Sequence, residues 1–277
     1  MQLSLNGVIL GQGLDLAGYL DLAARTGFSG VDTIGNAKQI ADEKGVNAVL
    51  DLFEKYNVRP SSWGIPVDWK GSEDSFEQSL AEFPKHLEFG VAIGCPRACT
   101  WILPAIDGDP GEFRRQSVER WRKAGQVAED HGVRLGLEWV GPATLREGKN
   151  DFIYTMDQLL DLEDEAGVDS LGLLVDSFHW YTAGHTVADL EAVPVEKIVH
   201  VHLNDAPDKP REQQIDSQRL LPGEGIIDLK GFLGALKTIG YTDYMGIETF
   251  SEELKALPVE ESAARAAAAG RSVLAGV

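Results

Sequence analysis

Leu135-Gly136-Leu137-Glu138, Leu173-Leu174-Val175-Asp176, Val199-His200-Val201-His202 and Met245-Gly246-Ile247-Glu248 are four short, mostly apolar runs, and each ends in a side chain able to bind a metal ion. Side chains alternate along a strand. With Glu138 facing the inside of a barrel, Leu135 and Leu137 face out. The same parity sends Leu171, Leu173 and Val175 outward, then Val199, Val201 and Leu203, then Met245 and Ile247. All are apolar, as a sheet face covered by helices requires. The inward positions below the four end residues include Gly136, Gly172, His200 and Gly246, which are small or polar.

Working outward from these runs, short apolar segments alternate with longer amphipathic ones along the whole chain. Strands are expected at 3–9, 30–33, 59–64, 97–103, 134–139, 171–176, 198–203 and 244–250. Helices are expected at 14–25, 46–56, 75–93, 112–131, 156–165, 187–192, 229–239 and 259–274. Alternation of this kind implies parallel strands joined by crossover helices. Eight such units in 277 residues point to a single (β/α)8 TIM barrel, an α/β fold occupying residues 1–277 as one domain. A doubly wound open sheet is the competing architecture. It calls for a glycine-rich phosphate turn after an early strand, and Gly11-Gln12-Gly13 is too short for that pattern.

Composition narrows the function. Lys and Arg number 25 against 44 Asp and Glu, a net charge of −19. Such a balance opposes binding to a nucleic-acid backbone, which needs clustered cations, and to an anionic membrane surface. No apolar run is long enough to span a bilayer, and the first residues lack the basic-then-apolar pattern of a secretion signal. Cys95 and Cys99 are the only cysteines, and the expectation is two buried, reduced thiols in a cytoplasmic protein.

Three carboxylates and an imidazole then converge at the C-terminal mouth, where barrel active sites lie. Without compensation the carboxylates would repel one another and some would keep their protons. One divalent cation removes that conflict, and three oxygens with one nitrogen suit Mn, Mg, Co or Zn equally. Either His200 or His202 could instead be a hydrogen-bonded core residue. Trp63, Trp101, Trp139 and Trp180 each end or follow a strand. They could stack on the C–H face of a sugar or polyol, or simply pack the barrel top. Arg219 could hold a substrate oxygen or pair with an acidic loop.

With Leu-Glu-Trp at 137–139, Asp-Ser-Phe-His at 176–179, His-Val-His-Leu-Asn-Asp at 200–205, the stretch 219–228 around Pro-Gly-Glu-Gly, and Ile-Glu-Thr-Phe at 247–250, the chain resembles the xylose isomerase-like TIM-barrel superfamily. The resemblance runs over nearly the whole chain. It implies that Glu138, Asp176, His202 and Glu248 hold the metal, with His200 structural. It implies that Glu138 and Glu248 also exchange protons with the substrate, and that the protein is an isomerase or epimerase of a sugar, keto-sugar or cyclitol, in a family whose barrels often form homo-oligomers. His179 would contact a substrate oxygen or orient a carboxylate. Epimerases of this kind commonly place an Arg six residues after the metal-binding His, where this chain has Asp208. Elimination at the same site, by a lyase or dehydratase, is the alternative. A related branch cleaves abasic DNA, but it needs His ligands on early strands, and no His precedes His86 here.

Overall fold

The computed structural model describes residues 1–32 and 34–277, so the expected strand 30–33 is followed to Asp32, Thr33 lying outside the described residues. The barrel strands are β1 (Gln2–Asn6), β2 (Gly30–Asp32), β3 in two pieces (Arg59–Pro60 and Trp63–Gly64), β4 (Arg97–Trp101), β5 (Arg134–Glu138), β6 (Leu171–Asp176), β7 (Ile198–Leu203) and β8 (Tyr244–Ile247). All pair in parallel, and β8 joins β7 to β1. Arg59–Pro60 pairs with β2 while Trp63–Gly64 pairs with β4. The last gap in the ring is thus crossed within one segment, at Ser61-Ser62, where β3 kinks between its two neighbours. The (β/α)8 barrel read from the sequence is the fold.

The outward faces form the core. Leu135, Leu137, Leu171, Leu173, Val175, Val201, Leu203, Met245 and Ile247 are fully buried beneath the helices, each contributing on the order of 2 kcal/mol. The helices start where chain chemistry allows. Asp109 accepts a hydrogen bond from the Glu112 amide, and a proline opens the helix Pro110–Asp130, whose Trp121, Ala124 and Ala128 are buried. Several expected boundaries shift. The first strand stops at Asn6, whose side chain caps a 3-10 turn over Gly7–Ile9, and β4 and β8 stop at Trp101 and Ile247. Three helices were not anticipated, Ala37–Lys44, Ser177–Ala183 and the short Glu252–Lys255.

One parity expectation is corrected. β7 carries a bulge between Ile198, which pairs with Leu173, and His200, which pairs with Leu174. Val199 therefore points into the barrel rather than out. A methyl group built on Gly136 would lie 3.1 Å from Val199 Cβ, and one built on Gly172 would lie 2.9 Å from Val199 Cγ2. The missing side chains at those two inward glycines make room for the valine. The extra residue bends the strand locally and brings His202 level with Asp176.

Candidate metal centre and substrate cavity

Glu138 ends β5, Asp176 ends β6, His202 lies one residue from the end of β7, and Glu248 follows β8. The strand ends bring all four together. Each offers a ligand atom, and these atoms lie within 4.8 Å of one another. His202 Nδ1 is 3.3 Å from Glu248 Oε2 and 3.7 Å from Glu138 Oε1. Yet Nδ1 and Glu138 Oε1 are both buried and make no hydrogen bond. Orphaned polar atoms of this kind are costly unless something satisfies them. Three carboxylates and one imidazole facing a common point form a donor set that fits a divalent cation.

Neighbouring strands aim each ligand. Asp176 Oδ1 accepts from the amides of Phe178 and His179 at 2.7 and 3.1 Å, so the ligand also caps the helix Ser177–Ala183. Its Oδ2 accepts from Asn204 Nδ2 at 2.7 Å. Asn6 Nδ2 donates to Glu248 Oε1 at 3.3 Å. Asp32, at the end of β2, lies beneath His202 and takes a hydrogen bond from its Nε2 at 3.0 Å and from His200 Nε2 at 2.9 Å. His202 is thereby turned so that Nδ1 faces the carboxylates, the arrangement that orients most metal-binding histidines. His200 is a buried partner of Asp32. Asp32, Asn6 and Asn204 escaped the sequence reading. Asp32 alone left a trace there, a carboxylate closing the short apolar run Gly30-Val31-Asp32.

Electrostatics separates the two glutamates. Burial, reinforced by repulsion from Asp176 and Glu248, pushes Glu138 up to about 8 against the pull of His202. Burial would also raise Glu248, but His202 and then Arg219 overcome it and hold that carboxyl at about 2. Two carboxylates flanking one site with opposite protonation preferences are suited to acid and base roles. His179 is driven well below the ordinary imidazole range, first by burial and then by Arg219. Arg219 Nη2 donates to its Nε2 at 2.8 Å, and the Gly141 amide approaches Nδ1 at 3.3 Å. A ring that accepts from Arg219 at Nε2 is held neutral, because an imidazolium has no acceptor to offer.

A cavity of about 420 Å³ opens above Glu138 and Glu248, with His179, Asp216 and Arg219 on its polar side and Trp101, Leu145 and Phe250 among its apolar walls. A smaller one of about 180 Å³ reaches down past Trp63 to Asp32 and His202. The tryptophans divide accordingly. Trp101 is 43% exposed and lines both cavities. Trp63 lines the smaller one while its indole N–H bonds the Cys95 carbonyl at 3.0 Å. Trp139 and Trp180 line neither. Their indole N–H groups bond the carbonyls of His179 and Thr186, each at 3.2 Å, and both rings are buried. These two pack the barrel top. Cys95 is buried and Cys99 half-buried, both are free thiols, and burial raises both above the ordinary thiol range.

The family described as xylose isomerase-like TIM barrel matches residues 20–274. The chain belongs to this family. An inosose isomerase of Bacillus velezensis is 25% identical over 268 residues, covering 95% of this chain and 93% of that protein. A 3-dehydroshikimate dehydratase of Pseudomonas putida is 30% identical over 259 residues, covering 88% of this chain but 38% of that protein. Among solved structures, a xylose isomerase domain protein from Alicyclobacillus acidocaldarius superposes with a TM-score of 0.93 at 31% identity, covering 100% of this chain and 99% of that one. Among the described residues, no helix is long and apolar enough to cross a membrane.

Proposed function

We propose that this protein is a divalent-metal-dependent isomerase or epimerase of a sugar, keto-sugar or cyclitol. The observation that carries the reading is the convergence of Glu138, Asp176, His202 and Glu248, with two buried ligand atoms lacking hydrogen-bond partners, on the floor of a cavity large enough for a ring-sized substrate. A divalent ion there would act as a Lewis acid on adjacent carbonyl and hydroxyl oxygens, and manganese is the first ion to test. Glu248, held ionised, removes a proton from the carbon beside the carbonyl. Glu138 returns one from the other side. His179, fixed neutral by Arg219, lines the cavity and contacts a substrate oxygen. Trp101 offers its exposed face to the C–H side of the ring. A reducing cytoplasm and a homo-oligomer complete the reading, the first supported by the two free thiols.

Elimination is the second reading, favoured by the dehydratase match. It shares the first proton abstraction and differs in losing a β-hydroxyl. Glu248→Gln tests the shared step. With manganese-loaded protein in deuterated water, the substitution should cut isotope incorporation into a responsive keto-sugar at least about 100-fold. Unchanged exchange would reject the role of Glu248, and product mass separates isomerisation from loss of water.

A further inference from the structure

We infer that the cavity takes an uncharged polyhydroxy carbonyl compound and discriminates against carboxylates and phosphate esters of the same size. This rests on the isomerase or lyase reading above and names the substrate class within it. The deciding residue is Arg219, the buried cation of the cavity, which the sequence left open between holding a substrate oxygen and pairing with an acidic loop. Its guanidinium has five N–H donors, and all five are spent within the protein. Nε donates to Asp216 Oδ1 at 3.1 Å. Nη1 donates to Asp176 Oδ2 at 3.0 Å and Glu248 Oε2 at 2.8 Å. Nη2 donates to His179 Nε2 at 2.8 Å and again to Asp216 Oδ1 at 2.7 Å. The group also lies over the rings of Phe178 and Phe250, with centroids 5.3 and 4.7 Å away. No N–H is left to fork onto an incoming carboxylate or phosphate, the geometry that recognition of such groups by arginine requires.

The formal charges agree. Once a divalent ion displaces the proton of Glu138, that residue with Asp176, Asp216 and Glu248 contributes four negative charges around the cavity floor, and Arg219 and the rim residue Lys149 contribute two positive ones. A divalent ion supplies the remaining two. Asp32 beneath His202 adds one more negative charge. An anionic ligand therefore meets no net positive field to offset the cost of losing its water. Lys149 is exposed, with no ion-pair partner among the described residues, and stands in water at the rim, where a pairing is weak. An uncharged ring carrying hydroxyls needs no such compensation, and the walls Trp101, Leu145 and Phe250 suit its C–H face.

The test is binding to manganese-loaded full-length protein, read by water-proton relaxation, for three matched probes: a neutral keto-cyclitol or ketohexose, its carboxylic-acid analogue, and its phosphate monoester. The neutral probe should bind at least tenfold more tightly than either anion, and Lys149→Ala should change that ratio less than twofold. Asp216→Asn, which is isosteric, takes one negative charge from the floor and weakens the hold on Nε and Nη2. It should improve binding of the acid at least tenfold while altering the neutral probe less than threefold. Tighter binding of an anion by the unaltered protein, or no gain for the acid in Asp216→Asn, overturns the inference. Selective binding of neutral probes without deuterium exchange leaves the inference standing and removes the proposed chemistry. Binding of none of the three removes the inference.

Discussion

Two clusters of metal-capable side chains share His202, and they differ in a way that sorts structure from chemistry. Below it, Asp32, His200 and His202 close upon themselves. Asp32 accepts from both imidazoles and from the Ser62 hydroxyl, so each donor there finds an acceptor. His200 and His202 hold Asp32 well below the usual carboxylate range in spite of its burial. Above it, Glu138, Asp176, His202 and Glu248 bring mostly acceptors to one point, and two of their atoms go unpaired. Both clusters are built from carboxylates and imidazoles whose ligand atoms lie within 4.8 Å of one another. What separates them is the balance of donors and acceptors: the lower set is complete with protons alone, while the upper set lacks positive charge.

The sharpest way to break this contrast is to remove one upper ligand. Four-ligand sites bind structural zinc with about 10–16 kcal/mol, or about 2.5–4 kcal/mol per ligand. Asp176→Ala should therefore weaken metal binding several hundredfold, checked by elemental analysis of purified protein and by calorimetric titration. Asp176→Asn keeps an acceptor for the Phe178 and His179 amides and so isolates the lost charge from the lost helix cap. Metal content equal to that of the unaltered protein in both variants would place the ion elsewhere.

How much of this was legible beforehand follows from the same balance. The upper four residues were visible because each closes an apolar run at a barrel strand end, where a polar side chain stands out. The barrel was visible because Leu135, Leu137, Leu173 and Val175 hold the alternation a helix-covered strand needs. Val199 was misplaced because its direction is set by the space at Gly136 and Gly172, two strands contributed from elsewhere in the chain. Trp139 and Trp180 look like Trp101 in sequence, and only the carbonyls of His179 and Thr186 show that their N–H groups are spent. Asp32 was overlooked since a three-residue strand gives too little pattern to assign a register. The sequence left the role of Arg219 open because the four acceptors of its five N–H groups, on Asp176, His179, Asp216 and Glu248, come from three separate segments.

A buried carboxylate outside both clusters sharpens the contrast from another side. Glu163 on the helix Met156–Ala166 also has an unpaired buried oxygen, yet its neighbour is Lys197 Nζ at 3.4 Å, and among the described residues it joins no metal-capable cluster. Burial, only partly offset by Lys197, raises it from 4.5 to about 7. As pH rises through that window the unfolded chain gives up its proton first, so it binds fewer protons than the folded protein and stability falls. The penalty is absent below pH 4.5 and complete above pH 7, reaching up to about 3 kcal/mol. Glu163→Gln should therefore raise the melting temperature at pH 8, leave it nearly unchanged at pH 4.5, and not alter metal affinity. A melting-temperature gain of equal size at both pH values would mean that packing, not charge, limits this site.

Asp32 joins the two clusters, and its removal gives the smallest but most discriminating effect. Its carboxylate accepts the Nε2 proton of His202, which fixes the ring and leaves Nδ1 to face Glu138 and Glu248. Asp32→Asn keeps the shape and one acceptor but loses the charge that makes the imidazole a stronger donor to a metal. Outer partners of this kind are worth about 10–100-fold in metal affinity. The substitution should thus weaken manganese binding by that factor, less than the loss of Asp176, and Asp32→Glu should not restore it if the ring's position matters as much as the charge. A histidine nitrogen-15 spectrum reads the tautomer directly: the unaltered metal-loaded protein should show His202 protonated at Nε2, and Asp32→Asn should broaden or split that signal. An unchanged affinity together with an unchanged spectrum would show that the backbone of β7 alone orients His202, and the lower cluster would then be packing with no hold on the upper one.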